Sequence, residues 1–133
     1  MSQFLRFLAL GGLAAGVNFG SRFAWSLIAP FEVAVLLAYA TGMVTAFLLF
    51  RAFVFPASPV PVGLQVRNFV LVNLVGIALT WTTAMALNRV LFPAIGFRFH
   101  AEAVAHAIAI AVPVFTSWIG HRRFTFASPA PAE

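Results

Sequence analysis

Arg22 interrupts an apolar run from Phe7 to Ile28 in which Asn18, Ser21 and Ser26 are the other strongly polar residues. A guanidinium set that far into a hydrophobic segment costs at least about 2.5–3.5 kcal/mol on membrane-insertion scales, so it must face protein, a partner or a wet cavity. Its planar fork suits a phosphate, which it grips through parallel hydrogen bonds. The helical rise puts it about 24 Å from Arg6 and roughly 12 Å below the turn at Pro30. The competing structural reading has Arg22 snorkel to the interface or pair with Glu32. Asn18, one turn away, and Arg89, just before Pro93, are its expected helpers. Together with Arg98, Glu32, Glu102 and His106 they make up a candidate outer vestibule in which the two glutamates balance the arginines. Glu32 and Glu102 equally suit plain helix-start positions, where the dipole favours a carboxylate. Glu102 and His106 share one helix face, a pair able to relay a proton or simply to pack.

A second set of cations, Arg6, Arg51, Arg67, Arg122 and Arg123, belongs to the opposite end. Its plain role is topology and the anchoring of lipid phosphates. The sharper reading makes Arg51 and Arg122 a phosphate-loading site. No metal site is expected, because His100, His106 and His121 are spread over more than about 30 Å of helix, and there is no cysteine.

The elements that position these residues are repeated. Phe47-Leu48-Leu49-Phe50-Arg51-Ala52-Phe53-Val54-Phe55 and Trp118-Ile119-Gly120-His121-Arg122-Arg123-Phe124-Thr125-Phe126 each close an apolar run with arginine and an aromatic–x–Phe tail. Each is preceded by another run that opens with arginine, at Arg6 and at Arg67. The chain is therefore a duplicated hydrophobic hairpin, and duplication of a two-span unit leaves both halves the same way up. Hydrophobic residues make up 62% of the chain and charged residues 8%, against about 25% charged in soluble domains, which leaves no polar face for a soluble helix. The expectation is an all-α membrane protein of four transmembrane helices from two duplicated, parallel-oriented helical hairpins, forming a single domain over 1–133. Repeat 1 covers 4–55, a proline-marked linker 56–63, and repeat 2 covers 64–126. The spans are expected at Phe4–Ile28, Phe31–Arg51, Val66–Leu91 and Glu102–Arg122, with Phe92 to Ala101 as the second hairpin's connection and Pro113 as a kink in the last span. A removable signal peptide is not expected, since the first run is long and carries Arg22. Gly12, Gly16 and Gly20 repeat every fourth residue and supply a small-residue face for hairpin packing or dimerisation. Asn73, Thr41, Thr45, Thr80, Thr82 and Thr83 are expected mostly as interhelical hydrogen-bond donors.

The net charge of +5 does not imply nucleic acid, because the arginines are scattered over two membrane faces with no soluble basic surface. Catalysis is not expected either, since the chain has no aspartate, no cysteine and no external region to hold a nucleotide sugar.

Arg6-Phe7-Leu8 leading through Gly11-Gly12 to Asn18-Phe19, then Phe47-Leu48-Leu49 with Arg51 and Phe53-Val54-Phe55, repeated as Arg67-Asn68-Phe69 through Gly76 and Arg122-Arg123-Phe124-Thr125-Phe126, resembles the GtrA-like family of small four-span bacterial membrane proteins. The resemblance runs from about Phe4 to Phe126. It implies a flippase for a polyprenyl-phosphate-linked sugar, such as undecaprenyl-phosphate glucose, in the bacterial cytoplasmic membrane, for cell-surface polysaccharide biosynthesis or modification. No cofactor is implied. The expected partners are the lipid-linked sugar, membrane lipids, a membrane glycosyltransferase and a second copy of the chain. The chain departs from the family pattern at Phe50 and His121, where asparagine often stands, and at Thr80, the second-half counterpart of Asn18. A non-transporting anchor that recruits a glycosyltransferase is the alternative, followed by a small ion channel or exporter.

Five arginines lie on the face shared by the termini and the linker, and Arg22, Arg89 and Arg98 lie on the other side. The positive-inside rule then puts both termini and residues 56–63 in the cytoplasm and residues 92–101 outside. On this cysteine-free background, a single cysteine at Ser58 should be labelled by membrane-impermeant maleimide only after the membrane is opened. Labelling of Ser58→Cys from outside intact cells would reverse the topology.

Overall fold

The computed structural model describes residues 2–126, and among them the secondary structure is wholly helical. Ser2 caps α1 (Gln3–Trp25), its Oγ accepting from the Leu5 amide at 3.2 Å. A turn leads to Pro30 and α2 (Phe31–Leu49), which runs on as a π turn over Phe50–Val54. Then α3 (Val62–Ala86) passes through a π turn at Leu87–Leu91 into the short α4 (Phe92–Ile95). Next come α5 (Ala101–Ala111) and α6 (Val114–Gly120), with a third π turn at His121–Thr125. Four of the resulting helical stretches are long and apolar enough to cross a membrane, namely Gln3–Trp25, Phe31–Val54, Val62–Ile95 and Ala101–Thr125. Their outer faces agree: Leu13, Val44, Leu48, Leu74 and Phe115 are all more than half exposed, a surface suited to hydrocarbon rather than water.

The expected spans hold, with ends moved for identifiable reasons. The first stops at Trp25 instead of Ile28, because the chain must leave the helical region before Pro30. The third begins at Val62 instead of Val66, because Pro61, with its fixed φ, caps the helix and its carbonyl accepts from the Gln65 amide at 2.9 Å. Residues 92–95, assigned above to a connection, continue the helix, because the π turn before Pro93 makes room for a ring that a regular helix would reject. The helix ends at Gly96, whose φ of 73° is the left-handed conformation open to glycine. The fourth span does break at Pro113, between α5 and α6.

Both repeats close in the same way. The Phe55 amide bonds back to the Phe50 carbonyl at 2.8 Å, and the Phe126 amide to the His121 carbonyl at 2.9 Å. Residues five apart on an α-helix point about 140° from one another at 100° per residue. The wider π turn brings both members of each pair inward, so Phe50, Phe55, His121 and Phe126 are all buried. Phe55 and Phe126 stack face to face at 4.6 Å and 11°, and Phe4 and Phe7 close the cluster against Trp118. Stacked aromatics of this kind add about 0.5–1.5 kcal/mol beyond their buried area. At the other end of the bundle Phe31, Val35, Ala84, Met85 and Ala109 form a second apolar cluster.

Within the first hairpin the close contact is made by Gly42. A Cβ there would lie 2.7 Å from Asn18 Cβ and 3.1 Å from the Ala14 carbonyl oxygen. By contrast, Gly12, Gly16 and Gly20 have nothing within 4 Å of an added Cβ. The stripe therefore does not pack the hairpin; it faces outward. The threonines are corrected as well. Thr41 and Thr45 bond back to carbonyls four residues earlier in their own helix, Thr82 is exposed, and Thr41 accepts the one cross-helix bond of the group, from Trp25 Nε1 at 3.1 Å.

Gly42→Leu should lower stability in detergent by about 1–3 kcal/mol, the usual cost of overpacking. Gly16→Leu should leave it unchanged or slightly raised. Thermal unfolding of the two purified variants compares them directly; equal midpoints would remove Gly42 as the packing hinge of the hairpin.

Candidate functional site

The two halves exchange charges at the end of the bundle opposite the termini. Arg22, in the last turn of α1, is only 3% exposed. Its Nη1 donates to Ser26 Oγ at 3.0 Å and lies 3.7 Å from Glu102 Oε2, at the start of α5. The rings of Phe23 and Phe31 sit 4.2 and 5.5 Å from its guanidinium carbon. Arg89, in the π turn after α3, pairs with Glu32 at the start of α2. The expected Arg22–Glu32 pair is thus replaced by a crossed arrangement. Each glutamate opens a helix, where the amide dipoles favour an anion, and Arg22 lies in the closing turn of another, where they favour a cation. Arg22 lies about one turn from the end of α1. Arg98 lies exposed in the loop and makes no ion pair among the described residues.

Below the ion pairs lie polar atoms without partners among the described residues: Arg22 Nε, Asn18 Oδ1, Thr80 Oγ1 and both ring nitrogens of His106. His106 is wholly buried and stacks on Phe19 at 6.0 Å. Of the two readings offered for His106 the ring packs, without a hydrogen bond among the described residues, and it does not line an open vestibule.

Nearer the termini, α1, α2, α3, α5 and α6 enclose a cavity of about 380 Å³. Its walls are mostly apolar, with Asn18, Tyr39, Asn73, Ser117 and His121 as the polar lining. Tyr39 Oη donates to Asn73 Oδ1 at 2.9 Å. Asn73 Nδ2 donates to the Phe69 carbonyl at 2.8 Å and lies 3.4 Å from His121 Nε2. Because an amide nitrogen can only donate, Nε2 accepts; Nδ1 then carries the proton and donates to Thr125 Oγ1 at 2.9 Å. Of the site residues proposed from sequence, Asn18 alone lines this cavity. Tyr39, Asn73 and His121 were not among them, and each carried a signal. Tyr39 is the chain's single tyrosine, Asn73 is an amide set between Val72 and Leu74 inside a span, and His121 stands where the family resemblance led one to expect asparagine.

The cations at the terminal end do not form one cluster. Arg6 Nη1 donates to the Phe53 carbonyl at 3.3 Å, and Arg67 bonds Asn68 Oδ1 through Nε and Nη2. Arg122 stacks over Trp118 at 5.6 Å. Arg51 and Arg123 are exposed. The closing motifs meet through Phe55 and Phe126, while Arg51 and Arg122 remain on the surface. No group of three or more His, Cys, Asp or Glu is placed to hold a metal among the described residues.

Two like-oriented hairpins, joined by crossed charges at one face and stacked aromatics at the other, define a small multi-pass membrane protein. A family model described as the GtrA/DPMS transmembrane domain matches residues 6–96. The chain belongs to that family. The match covers the first hairpin and the third span and ends at the Gly96 cap. No curated protein and no solved structure matches the chain.

Glu102→Gln leaves Arg22 in place without its anion and should cost about 1–3 kcal/mol, the penalty for stranding a buried polar group. Glu32→Gln, beside the exposed Arg89, should cost under about 1 kcal/mol. Chemical unfolding of both variants checks the order, and equal losses would mean that Arg22 does not depend on Glu102.

Proposed function

We propose that the protein moves a polyprenyl-phosphate-linked sugar, such as undecaprenyl-phosphate glucose, from the cytoplasmic to the outer leaflet of a bacterial inner membrane, serving cell-surface polysaccharide synthesis. Membership in the GtrA/DPMS family is consistent with handling of lipid-linked sugars and with a non-enzymatic role. The observation that carries the reading is Arg22, a buried guanidinium whose carboxylate partner stands 3.7 Å away and is itself 55% exposed. A phosphate arriving from the lipid can displace so loosely held a carboxylate, and Glu102 can return to expel it. Specific recognition and release then come from the same pair.

Arg6, Arg51, Arg67, Arg122 and Arg123 gather the substrate phosphate at the cytoplasmic face, with both termini on that side. Asn18 and Arg89 assist at the far end, and Glu32 with Glu102 limits how tightly the headgroup is held. Arg98 widens the outer field. No covalent step is involved. The prenyl chain stays in lipid throughout.

Purified protein reconstituted with a fluorescent prenyl-phosphate glucose should speed leaflet exchange, read as the fraction of probe that external dithionite bleaches. Arg22→Gln should slow exchange about tenfold or more, the scale of a lost charge-assisted hydrogen bond of roughly 1.5–3 kcal/mol. Arg22→Lys, which keeps the charge and loses the fork, should be slowed too. Full exchange by Arg22→Gln at normal membrane levels would make Arg22 structural. Glycosylation by an added glycosyltransferase without any exchange would favour the anchor reading.

A further inference from the structure

We propose that the cavity beneath Asn18 is a chamber for an uncharged monosaccharide headgroup, reached sideways from the lipid between α1 and α5. The inference rests on the transport reading above and narrows its substrate: the sugar is neutral, and its hydroxyls and the phosphate are held at separate places.

The lining contains no arginine, lysine, aspartate or glutamate. A phosphate, a uronic acid or an ammonium sugar would lie there without a counter-charge in a low-dielectric bundle, at a cost of several kcal/mol. What the walls do supply is suited to a polyol. Phe7, Phe50 and Phe69 contribute apolar wall for the C–H side of a pyranose. The Tyr39–Asn73–His121 chain presents an ordered row of polar groups, fixed from behind by the Phe69 carbonyl and Thr125. Apolar walls with a few convergent polar groups are the usual make-up of a small-ligand site. About 380 Å³ lies near the lower end of the roughly 300–1,000 Å³ that such sites occupy, room for one sugar ring.

Asn18 provides the independent observation. It is 5% exposed, lines the chamber, and its Oδ1 has no donor among the described residues. A buried acceptor left unmet costs about 1–3 kcal/mol, and a sugar hydroxyl is the donor that relieves it. The mouth is made of small groups. Gly12 on α1 and Ala107 and Ala111 on α5 line the cavity and are exposed on the outer surface, and a Cβ on Gly12 would meet nothing within 4 Å. A pyranose can slip between them while its prenyl chain trails in the bilayer. Arg22 sits one turn beyond Asn18, so a sugar in the chamber and a phosphate at the guanidinium are parts of one substrate.

The test measures binding to the protein in nanodiscs, using fluorescent short-chain prenyl phosphate carrying glucose, carrying glucuronate, or carrying no sugar. Glucose should tighten binding about tenfold over the bare prenyl phosphate, and glucuronate should not. Asn18→Ala and Asn73→Ala should each abolish most of the glucose increment, and Asn73→Ala should leave binding of the bare phosphate unchanged. Ala111→Phe, at the lipid-facing mouth, should remove the increment without touching any polar group, which guards against loss of fold in the asparagine variants. Equal affinity for glucose and glucuronate, or an increment indifferent to all three substitutions, overturns the chamber even if leaflet exchange is normal. A glucose increment that depends on Asn18 and Asn73 upholds it even if no exchange is seen, and in that case transport alone fails.

Discussion

Hydrocarbon gives the four spans neither hydrogen bonds nor a hydrophobic reason to associate, and this constraint governs the bundle. Helices in lipid must hold together through close fit, aromatic contact and the few polar groups that find each other. The chain meets the demand differently at its two ends. At the terminal face the π turns rotate Phe50, Phe55, His121 and Phe126 inward and let the duplicated tails stack. At the far face the halves are joined by charge, Arg22 with Glu102 and Arg89 with Glu32. Between the two ends packing is incomplete: a cavity remains, and Asn18, Thr80 and His106 keep polar atoms without partners among the described residues. In a medium without water such atoms are costly.

The two repeats share a backbone more closely than a chemistry. Each ends in an i→i+5 closure five residues long, yet the first residue of the closure is Phe50 in one half and His121 in the other. Phe50 fills space, while His121 joins a hydrogen-bonded row with Asn73 and Thr125. A duplicated fold has thereby acquired different side chains at equivalent positions of its two closures.

Much of the fold was legible in the sequence, because hydropathy and repetition act over whole spans and tolerate errors of several residues. The hairpin duplication, the four spans and the break at Pro113 all follow from such long-range signals. What was not legible depended on angles that composition does not encode. A π turn leaves no mark in hydropathy, so the continuation of the third span through Pro93 and the inward turn of Phe55 were missed. The glycine repeat on α1 advertised a packing face, but Gly42 on α2 is the residue that lies against Asn18 and Ala14. The charged members of the candidate site were readable because ionisable residues are rare in membrane spans. Their pairing was not: Arg22 faces Glu32 or Glu102 according to which helix lies beside α1. Tyr39, Asn73 and His121 became a group once three different spans converged.

The crossed charges also bear on how the chain is made. Arg22 enters the bilayer with the first span, but its carboxylate arrives with the last; Glu32 enters with the second and waits for Arg89 at the end of the third. Until the last span arrives Arg22 lacks its native carboxylate, and within the first hairpin Glu32 is the acidic residue that can stand in for it. Neither crossed pair can form in a half made on its own, because each draws one partner from either half.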